Sequence, residues 1–369
     1  MKTRITHLTS VHSRNDIRIF LKECTSLSLI ENYEVSLIVA DGLDNEIKNK
    51  VKIYDVGRLQ GRVNRIFKTA NNIYKKAKYL NNDIYHIHDP ELIPIGLRLK
   101  KLGKKVVFDA HEDFPKQLLS KPYLNQIFKV ILSKLFEQYE KYTCRKFDYI
   151  ITTTPYIRDK FLKINRNTIN INNFPILGEL TKNISWNDKK NEVCYVGGIS
   201  YIRGIKEVVK SLEVIHPTRL NLVGVFAEKD LEAELKNYKG WSKVNEVGFI
   251  SRNEVADVMS DSKAGIVTFY PEQNHINAQP NKIFEYMSAG LPVIASDFPL
   301  WKDIVMGNSC GICVDPLSPK EIGEAINYII SSPVQAQKMG ENGKKAVLEK
   351  YNWSIEEEKL FRVYEDLTK

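Results

Sequence analysis

Short apolar runs alternate with longer stretches of helical period along almost the whole chain. Ile5–Leu8, Val35–Val39, Ile84–Ile87, Val106–Phe108 and Tyr149–Thr153 are brief and continuous, and they predict buried strands. Between them, Ile17–Leu29, Asn64–Leu80, Pro90–Lys101 and Leu124–Arg145 repeat their apolar residues every three or four positions and predict helices. Strand–helix–strand alternation builds a parallel sheet covered on both faces.

The alternation pauses over residues 172–192, a polar stretch with Pro175 and Gly178 that reads as a connector. It then resumes, with strands predicted at Val193–Val196, Leu220–Val223, Val244–Val247, Ala264–Thr268, Val293–Ala295 and Ile312–Val314. Three helix starts carry the spacing of a reciprocal capping box: Ser251/Glu254, Ser318/Glu321 and Ser354/Glu357. The chain therefore reads as α/β, with two doubly wound Rossmann-like domains. Residues 1–175, joined by a closing helix at 355–369, form the first, and residues 176–354 form the second. Ligands of such sheets sit at the carboxyl ends of strands near the topological switch point, so the cleft between two such domains is the expected site.

Composition narrows the class. The 369 residues are 43% hydrophobic and 27% charged, as in an ordinary globular protein. No apolar run approaches the ~18 residues of a membrane span. The opening MKTRITHLTSVHSRND lacks the apolar core of a secretory signal. Five cysteines, an odd number, favour a reducing compartment over a disulfide scaffold, so a cytoplasmic location is expected. The net charge of +9 is uneven: residues 1–180 carry +12 and the remainder −3. A basic first half fits a solvated surface, a polyanion or an anionic membrane.

The richest segment chemically is NAQPNKIFEYMSAGLPVIASD, residues 277–297. A helix predicted from about Asn281, after Pro280, offers free N–H groups to an anion at its start. Lys282 adds a full charge in the first turn, and Glu285, one turn on, has acceptor oxygens suited to a vicinal diol such as a ribose. Phosphate beside diol describes a nucleotide, although an amphipathic helix with solvated Lys and Glu has the same pattern. In YVGGISYIRGIKEVVKS, residues 195–211, Gly197 and Gly198 allow close backbone approach, while Arg203 and Lys206 stand where a helix begins. In the first domain, YHIHDPELIPIG (85–96) and VVFDAHEDFP (106–115) put His88 and His111 just past buried strands, with Glu112 and Asp113 beside His111. After the first strand, Ser13, Arg14, Asp16 and Arg18 cluster at a helix start, where Asp16 suits either a cap or an acceptor contact.

The 277–297 segment resembles the donor-binding motif of the large retaining glycosyltransferase family 4, which has the GT-B architecture of two Rossmann-like domains. That motif runs Glu, seven residues, Glu, then small–Gly–x–Pro and a strand. Glu285 matches the second Glu, which in the family holds the ribose, and Met287–Ala295 matches the continuation. The first Glu falls at Asn277, an amide that can bond sugar hydroxyls without supplying charge. Arg203-Gly204 matches the family's cation–Gly pair that contacts the donor diphosphate, and Gly198 stands where the family often has an Arg, a loss that Lys282 compensates. His111 matches a strand-end His near donor sugar and acceptor.

The resemblance implies a transferase that moves a sugar from a nucleotide-sugar donor, a UDP-sugar favoured, with retention. The catalytic residues implied are His111, Arg203, Lys282 and Glu285. The donor site adds Gly197, Gly198, Lys206, Asn277, Pro280 and Asn281, and the acceptor side takes Asp16, Arg18, His88 and Glu112. It further implies front-face attack, domain closure that excludes water, and a lipid-linked glycan acceptor in surface polysaccharide synthesis. The amphipathic segment Lys121–Arg145, with Phe128, Ile131, Leu132, Leu135 and Phe136 among lysines, suits peripheral contact with an anionic membrane, the inner face of the cytoplasmic membrane.

No metal and no cofactor are expected: Asp-x-Asp is absent, and Cys310-x-x-Cys313 stands alone without a second pair. No nucleic-acid partner is expected. Two other readings predict different behaviour. A nucleotide-sugar epimerase or hydrolase would turn over donor alone. A non-catalytic basic protein would bind polyanions in a salt-sensitive way.

Overall fold

The computed structural model describes residues 2–119, 125–182, 184–215 and 217–369. The chain divides into two units, one of Met1–Asn173 with Ile355–Lys369 and one of Phe174–Ser354.

The first unit is built on eight strands: β1 (Thr3–Leu8), β2 (Tyr33–Val39), β3 (Glu46–Lys48), β4 (Val51–Asp55), β5 (Ile84–Ile87), β6 (Lys105–Ala110), β7 (Tyr149–Thr152) and β8 (Thr168–Asn170). They lie in the order β3-β4-β2-β1-β5-β6-β7-β8, all parallel except β3 against β4. The order reverses at β1, which pairs with β2 on one side and β5 on the other. The carboxyl ends of β1 and β5 therefore flank a switch point. Both faces are covered, and Ile5, Leu8, Leu37, Ile38, Tyr85 and Ile87 are all fully buried or nearly so. This is why these strands read as continuous apolar runs rather than as alternating ones.

The second unit carries β9 (Glu192–Val196), β10 (Arg219–Val223), β11 (Val244–Gly248), β12 (Ala264–Val267), β13 (Val293–Ser296) and β14 (Gly311–Val314). Their order, β11-β10-β9-β12-β13-β14, is all parallel and puts the reversal at β9, between β10 and β12. This is the dinucleotide-fold order, and its crevice opens at the carboxyl ends of β9 and β12.

All eleven predicted strands form. β3 and β8 escaped the pattern because they are three-residue edge strands, β3 fully exposed. β4, next to β3, has an alternating rather than continuous apolar pattern. The predicted helix Ile17–Leu29 begins as a π-helix over Ile17–Cys24. Its i→i+5 winding stacks Arg18 over Glu23, and both are buried, with Arg18 Nε 3.2 Å from Glu23 Oε1. The predicted helix Leu124–Arg145 forms over Gln126–Cys144; Lys121 and Leu124 lie outside the described residues. Residues 172–192 are more than a connector, because Phe174, Leu180 and Trp186 are buried in the second unit.

Of the three capping boxes, Ser251/Glu254 forms in both directions. Ser318 caps its helix, but Glu321 accepts from the Asp315 N–H instead. The last helix already begins at Trp353, which puts Ser354 inside it, and Glu357 accepts a hydrogen bond from Ser26 Oγ.

Candidate active site

In the second unit, the helix Asn281–Ser288 is tied to the switch point by Tyr286, among seven buried residues. The ring of Tyr286 lies flat on β12, where a Cβ on Gly265 would come within 2.2 Å of it. The Tyr286 hydroxyl accepts from the Val196 N–H at the end of β9, at 2.9 Å. Glycine at 265 is therefore a packing requirement, and it sets the height of the helix whose first turn carries Lys282.

Lys282 is buried and runs beneath Gly197. A Cβ at Gly197, which has φ +119°, would lie 2.5 Å from Lys282 Cε. The ammonium donates to Tyr195 Oη at 3.2 Å, and the same hydroxyl donates to Gly198 O. Arg203 folds back over Gly198 and donates to its carbonyl at 2.9 Å. The chain thus uses the empty position at Gly198 to seat a guanidinium supplied five residues later. Both cations lie over the face of Phe269, Lys282 Nζ at 5.2 Å and the Arg203 guanidinium carbon at 5.5 Å from its centroid. Burial, and then the neighbouring Arg203, hold the Lys282 ammonium well below its ordinary pKa, with Glu285 opposing. A bound anion would relieve that penalty. Beside it, Gly204 (φ +70°) turns tightly against Thr268, whose buried hydroxyl has no protein partner among the described residues.

Pro280 occupies the N-cap position and Asn281 opens the helix. Glu285, also buried, receives Arg252 Nη1 at 2.9 Å, while Arg252 holds Glu179 through two further bonds of 2.9 Å each. Arg252 escaped the sequence reading because nothing in its spacing ties it to Glu285, 33 residues away. Asn277 is half-buried at the end of the short helix Gln273–Ile276. Lys206 stands apart: its ammonium pairs with Glu234 at 2.5 Å rather than joining Lys282. Of the three cations expected to converge, the structure brings together two.

In the first unit, five of the seven histidines cluster at the carboxyl ends of β1, β5 and β6: His7, His12, His86, His88 and His111. His86 and His88, two apart on one strand face, stack at 4.4 Å. That period-two spacing was the signal available for His86. Asp109, one strand turn before His111, is the hub. It accepts from Arg18 at 2.7 and 2.9 Å and lies 2.9 Å from His111 Nε2 and 3.3 Å from His88 Nδ1. Burial opposes its charge, but Arg18 and the two histidines hold its carboxyl well below the usual range. Burial, and then Asp109 itself, push the Glu23 carboxyl up. Two buried carboxyls are thus driven apart around one guanidinium.

Arg18, expected on the acceptor side, is instead buried in this network and also donates to Ile171 O. Its charge is spent on Asp109, not on a substrate. Asp16 caps its helix, accepting from the Arg18 and Ile19 N–H groups at 2.9 Å, and it also bonds His12 at 3.0 Å. His12, His88, His111 and Glu112 line one side of a cavity of about 1380 Å³, whose other walls include Leu59, Ile66, Phe67, Phe114, Leu132 and Phe136. His88, Asp109 and His111 are close enough to ligate a cation, as are His7, Glu23, His86 and His88. A metal at either place would compete with Arg18 for Asp109 or with the contact of His7 Nδ1 and His88 Nε2, which face each other at 2.9 Å.

Two Rossmann-like units, one after the other along the chain, are the architecture that the GT-B resemblance implies. The comparisons agree. The family model for group 1 glycosyl transferases matches residues 178–346, and that for glycosyltransferase family 4 matches residues 28–171. The chain is a GT-B glycosyltransferase resembling family 4. Two uncharacterised glycosyltransferases of Methanocaldococcus jannaschii are similar. One is 24% identical over 326 residues, covering 80% of this chain and 79% of the relative, and the other 23% over 284 residues, covering 73% and 70%. Sucrose-phosphate synthase from Thermosynechococcus elongatus shares the fold at TM-score 0.80 and 18% identity, covering 100% of this chain and 99% of that one. HepE of Anabaena, solved with UDP-glucose, shares it at TM-score 0.74 and 15% identity, covering 99% of each.

Proposed function

We propose that the chain transfers a sugar, with retention and without a metal, from a UDP-sugar to a lipid-linked glycan in surface polysaccharide synthesis. The observation that carries the reading is the convergence of Lys282 and Arg203 beside Gly197 and Gly198, one helical turn from Glu285. A nucleoside diphosphate fits it: phosphates on the two cations and the start of the helix, ribose on Glu285. Cleaving the sugar–phosphate bond builds negative charge on the outer phosphate, and preorganised cations stabilise that charge where it develops. No protein nucleophile is required if the acceptor hydroxyl attacks from the leaving group's side and gives its proton to the departing phosphate. UDP in the relatives' structures supports uracil as the base. The cavity of the first unit, with His88, His111 and Glu112 on its wall, takes the acceptor.

Membrane contact is supported by the helix Gln126–Cys144, which turns Leu132, Phe136 and Tyr139 inward and still presents a second apolar face outward. Its buried residues are Ser133, Glu140, Thr143 and Cys144, whereas Ile127, Phe128, Ile131 and Leu135 are exposed, at 73, 53, 50 and 64%. Lys129, Lys134 and Lys141 flank this apolar face. Burying each such side chain in lipid is worth ~1.5–3 kcal/mol, and each lysine near an anionic surface ~1 kcal/mol. No helix among the described residues is long and apolar enough to cross a membrane.

The test is release of UDP from UDP-glucose, UDP-galactose and UDP-N-acetylglucosamine, each with and without vesicles carrying undecaprenyl-linked sugars. Release that requires the acceptor and persists in EDTA supports the proposal. Release at the same rate without acceptor is the behaviour of a hydrolase and contradicts it.

A further inference from the structure

The buried histidines form a directed chain of hydrogen bonds. Tyr364, on the last helix, lies with its hydroxyl 2.9 Å from His86 Nδ1 and 3.3 Å from His7 Nε2. His7 Nδ1 meets His88 Nε2 at 2.9 Å, and His88 Nδ1 lies 3.3 Å from both Asp109 Oδ2 and His111 Nε2. His111 Nε2 meets the same carboxylate oxygen at 2.9 Å. Each imidazole here has its protons fixed by its neighbours, and the carboxylate fixes the direction. An ionised Asp109 accepts only, so His88 carries its proton on Nδ1 and its Nε2 must accept. His7 then carries its proton on Nδ1 and accepts on Nε2 from the Tyr364 hydroxyl, whose oxygen accepts from His86 Nδ1–H. Run the other way, the His88 Nδ1 lone pair would take the His111 N–H that Asp109 holds at the shorter distance while itself facing the carboxylate, and a buried N–H would be left on His86 Nε2, which has no protein partner among the described residues. His7 and His86 are held neutral by burial, and His88 is lowered to about 4 by burial, which outweighs Asp109. Three neighbouring histidines are thereby locked with the proton on Nδ1, the form that free histidine populates less.

We propose that Tyr364 is a positioning residue for His111, acting through His7, His88 and Asp109. Asp109 gathers His111 Nε2–H together with His88 Nδ1–H and both Arg18 donors, which leaves His111 Nδ1 as a lone-pair acceptor on a residue that lines the cavity. Remove the Tyr364 hydroxyl and His7 loses its reason to face His88 with an N–H. His88 is then free to turn its proton away from Asp109, and His111 gains or loses a neighbour on the same oxygen. The proposal rests on the reading that His111 meets a substrate hydroxyl.

The test compares wild type with Tyr364→Phe, which keeps the ring and removes only the hydroxyl. The full chain is labelled with 15N-histidine, and ring tautomers are read from two-bond 1H–15N correlations. Wild type is expected to show Nδ1–H at His7, His86 and His88 and Nε2–H at His111. In the variant, His7 and His88 move towards Nε2–H or exchange, and kcat falls about tenfold with KM for donor within about twofold, the pattern for a lost orienting partner. Nε2–H at His7 and His88 in the wild type overturns the relay whatever the protein's activity, and needs no variant to fold. The expected tautomers with an unchanged kcat in Tyr364→Phe overturn the positioning role. A wild type that transfers no sugar contradicts the proposed function instead, and leaves the tautomer result standing on its own.

Discussion

At the scale of single residues, the proposed donor site is legible where one position demands one residue type. Gly197 is such a position. Its φ of +119° and the Lys282 chain 2.5 Å away leave no place for a methyl group. Gly197→Ala is expected to lower nucleotide affinity at least tenfold while the melting temperature falls by only a few degrees, as measured by titration calorimetry beside a thermal scan. Lys282, Arg203, Gly197 and Gly198, which the sequence singled out, do lie together, because the glycines and Arg203 follow the end of β9 and Lys282 lies in the first turn of the helix between β12 and β13, at the switch point. Arg252 and Asp109 were not legible, since each acts across a gap between distant elements. Arg18 was expected to reach an acceptor, and its burial was not legible for the same reason: its partner Asp109 lies 91 residues away.

His12 and Asp16 give a pH dependence with a definite sign. Burial opposes the His12 charge, but the Asp16 hydrogen bond, with Asp89 adding, raises its pKa above the ordinary value of 6.5. Its stabilisation is therefore full below about pH 6.5 and is lost as pH rises through the folded value. Burial also opposes the Asp16 charge, but His12 and the Ile19 N–H lower its pKa, so its share is present above about pH 4 and is lost on acidification. Asp16→Asn keeps the helix cap and removes only the charge. The stability gap between wild type and variant is expected to be larger at pH 5.5 than at pH 8.5, by up to about 1 kcal/mol for a pair that is partly exposed, in urea unfolding at both pH values. An equal gap at both pH values contradicts the assignment.

At the scale of elements, periodicity found every strand of both sheet centres, because a strand buried on both faces has no choice but to be apolar. It overlooked β3, β4 and β8 at the margins of the first sheet, although it found the edge strands β11 and β14 of the second, and it overlooked the π winding of Ile17–Cys24, which goes with the Arg18–Glu23 pair rather than with the apolar pattern. The helix Gln126–Cys144 shows the opposite lesson. Its apolar residues were visible, but they divide: Leu132 and Phe136 turn inward with Ser133, Glu140 and Thr143, while Phe128, Ile131 and Leu135 face outward, and only the structure separates the two faces. Ile131→Asp with Leu135→Asp is expected to leave the melting temperature within about 2 °C, since both side chains are exposed, and to abolish co-flotation with vesicles rich in phosphatidylglycerol. A melting temperature lowered by 10 °C with binding intact would return this face to the core.

At the scale of the whole molecule, each sheet reverses its strand order at one strand, and each gathers its polar groups at the carboxyl ends on either side of that reversal. The first unit is also closed by residues from the far end of the chain. Leu360, Val363 and Tyr364 are buried, Glu356 accepts both Asn172 donors, and Glu357 accepts from Ser26. Ending the chain at Ser354 exposes a core patch worth ~5 kcal/mol or more, a large part of a domain's total stability. Such a chain is expected to lose the cooperative unfolding of its first unit in calorimetry while the transition of the second unit remains.

The central claim is a nucleoside diphosphate held by Lys282, Arg203 and Glu285. Thermal stabilisation by UDP, GDP, dTDP and CMP, on wild type and Glu285→Ala, with and without EDTA, tests it most directly. At 100 times its dissociation constant a ligand adds ~2.7 kcal/mol to the folded state. The account predicts that UDP raises the wild-type melting temperature, that EDTA leaves the shift unchanged, and that Glu285→Ala loses most of it. No shift with any nucleotide at millimolar concentration, or an equal shift in Glu285→Ala, would contradict the account.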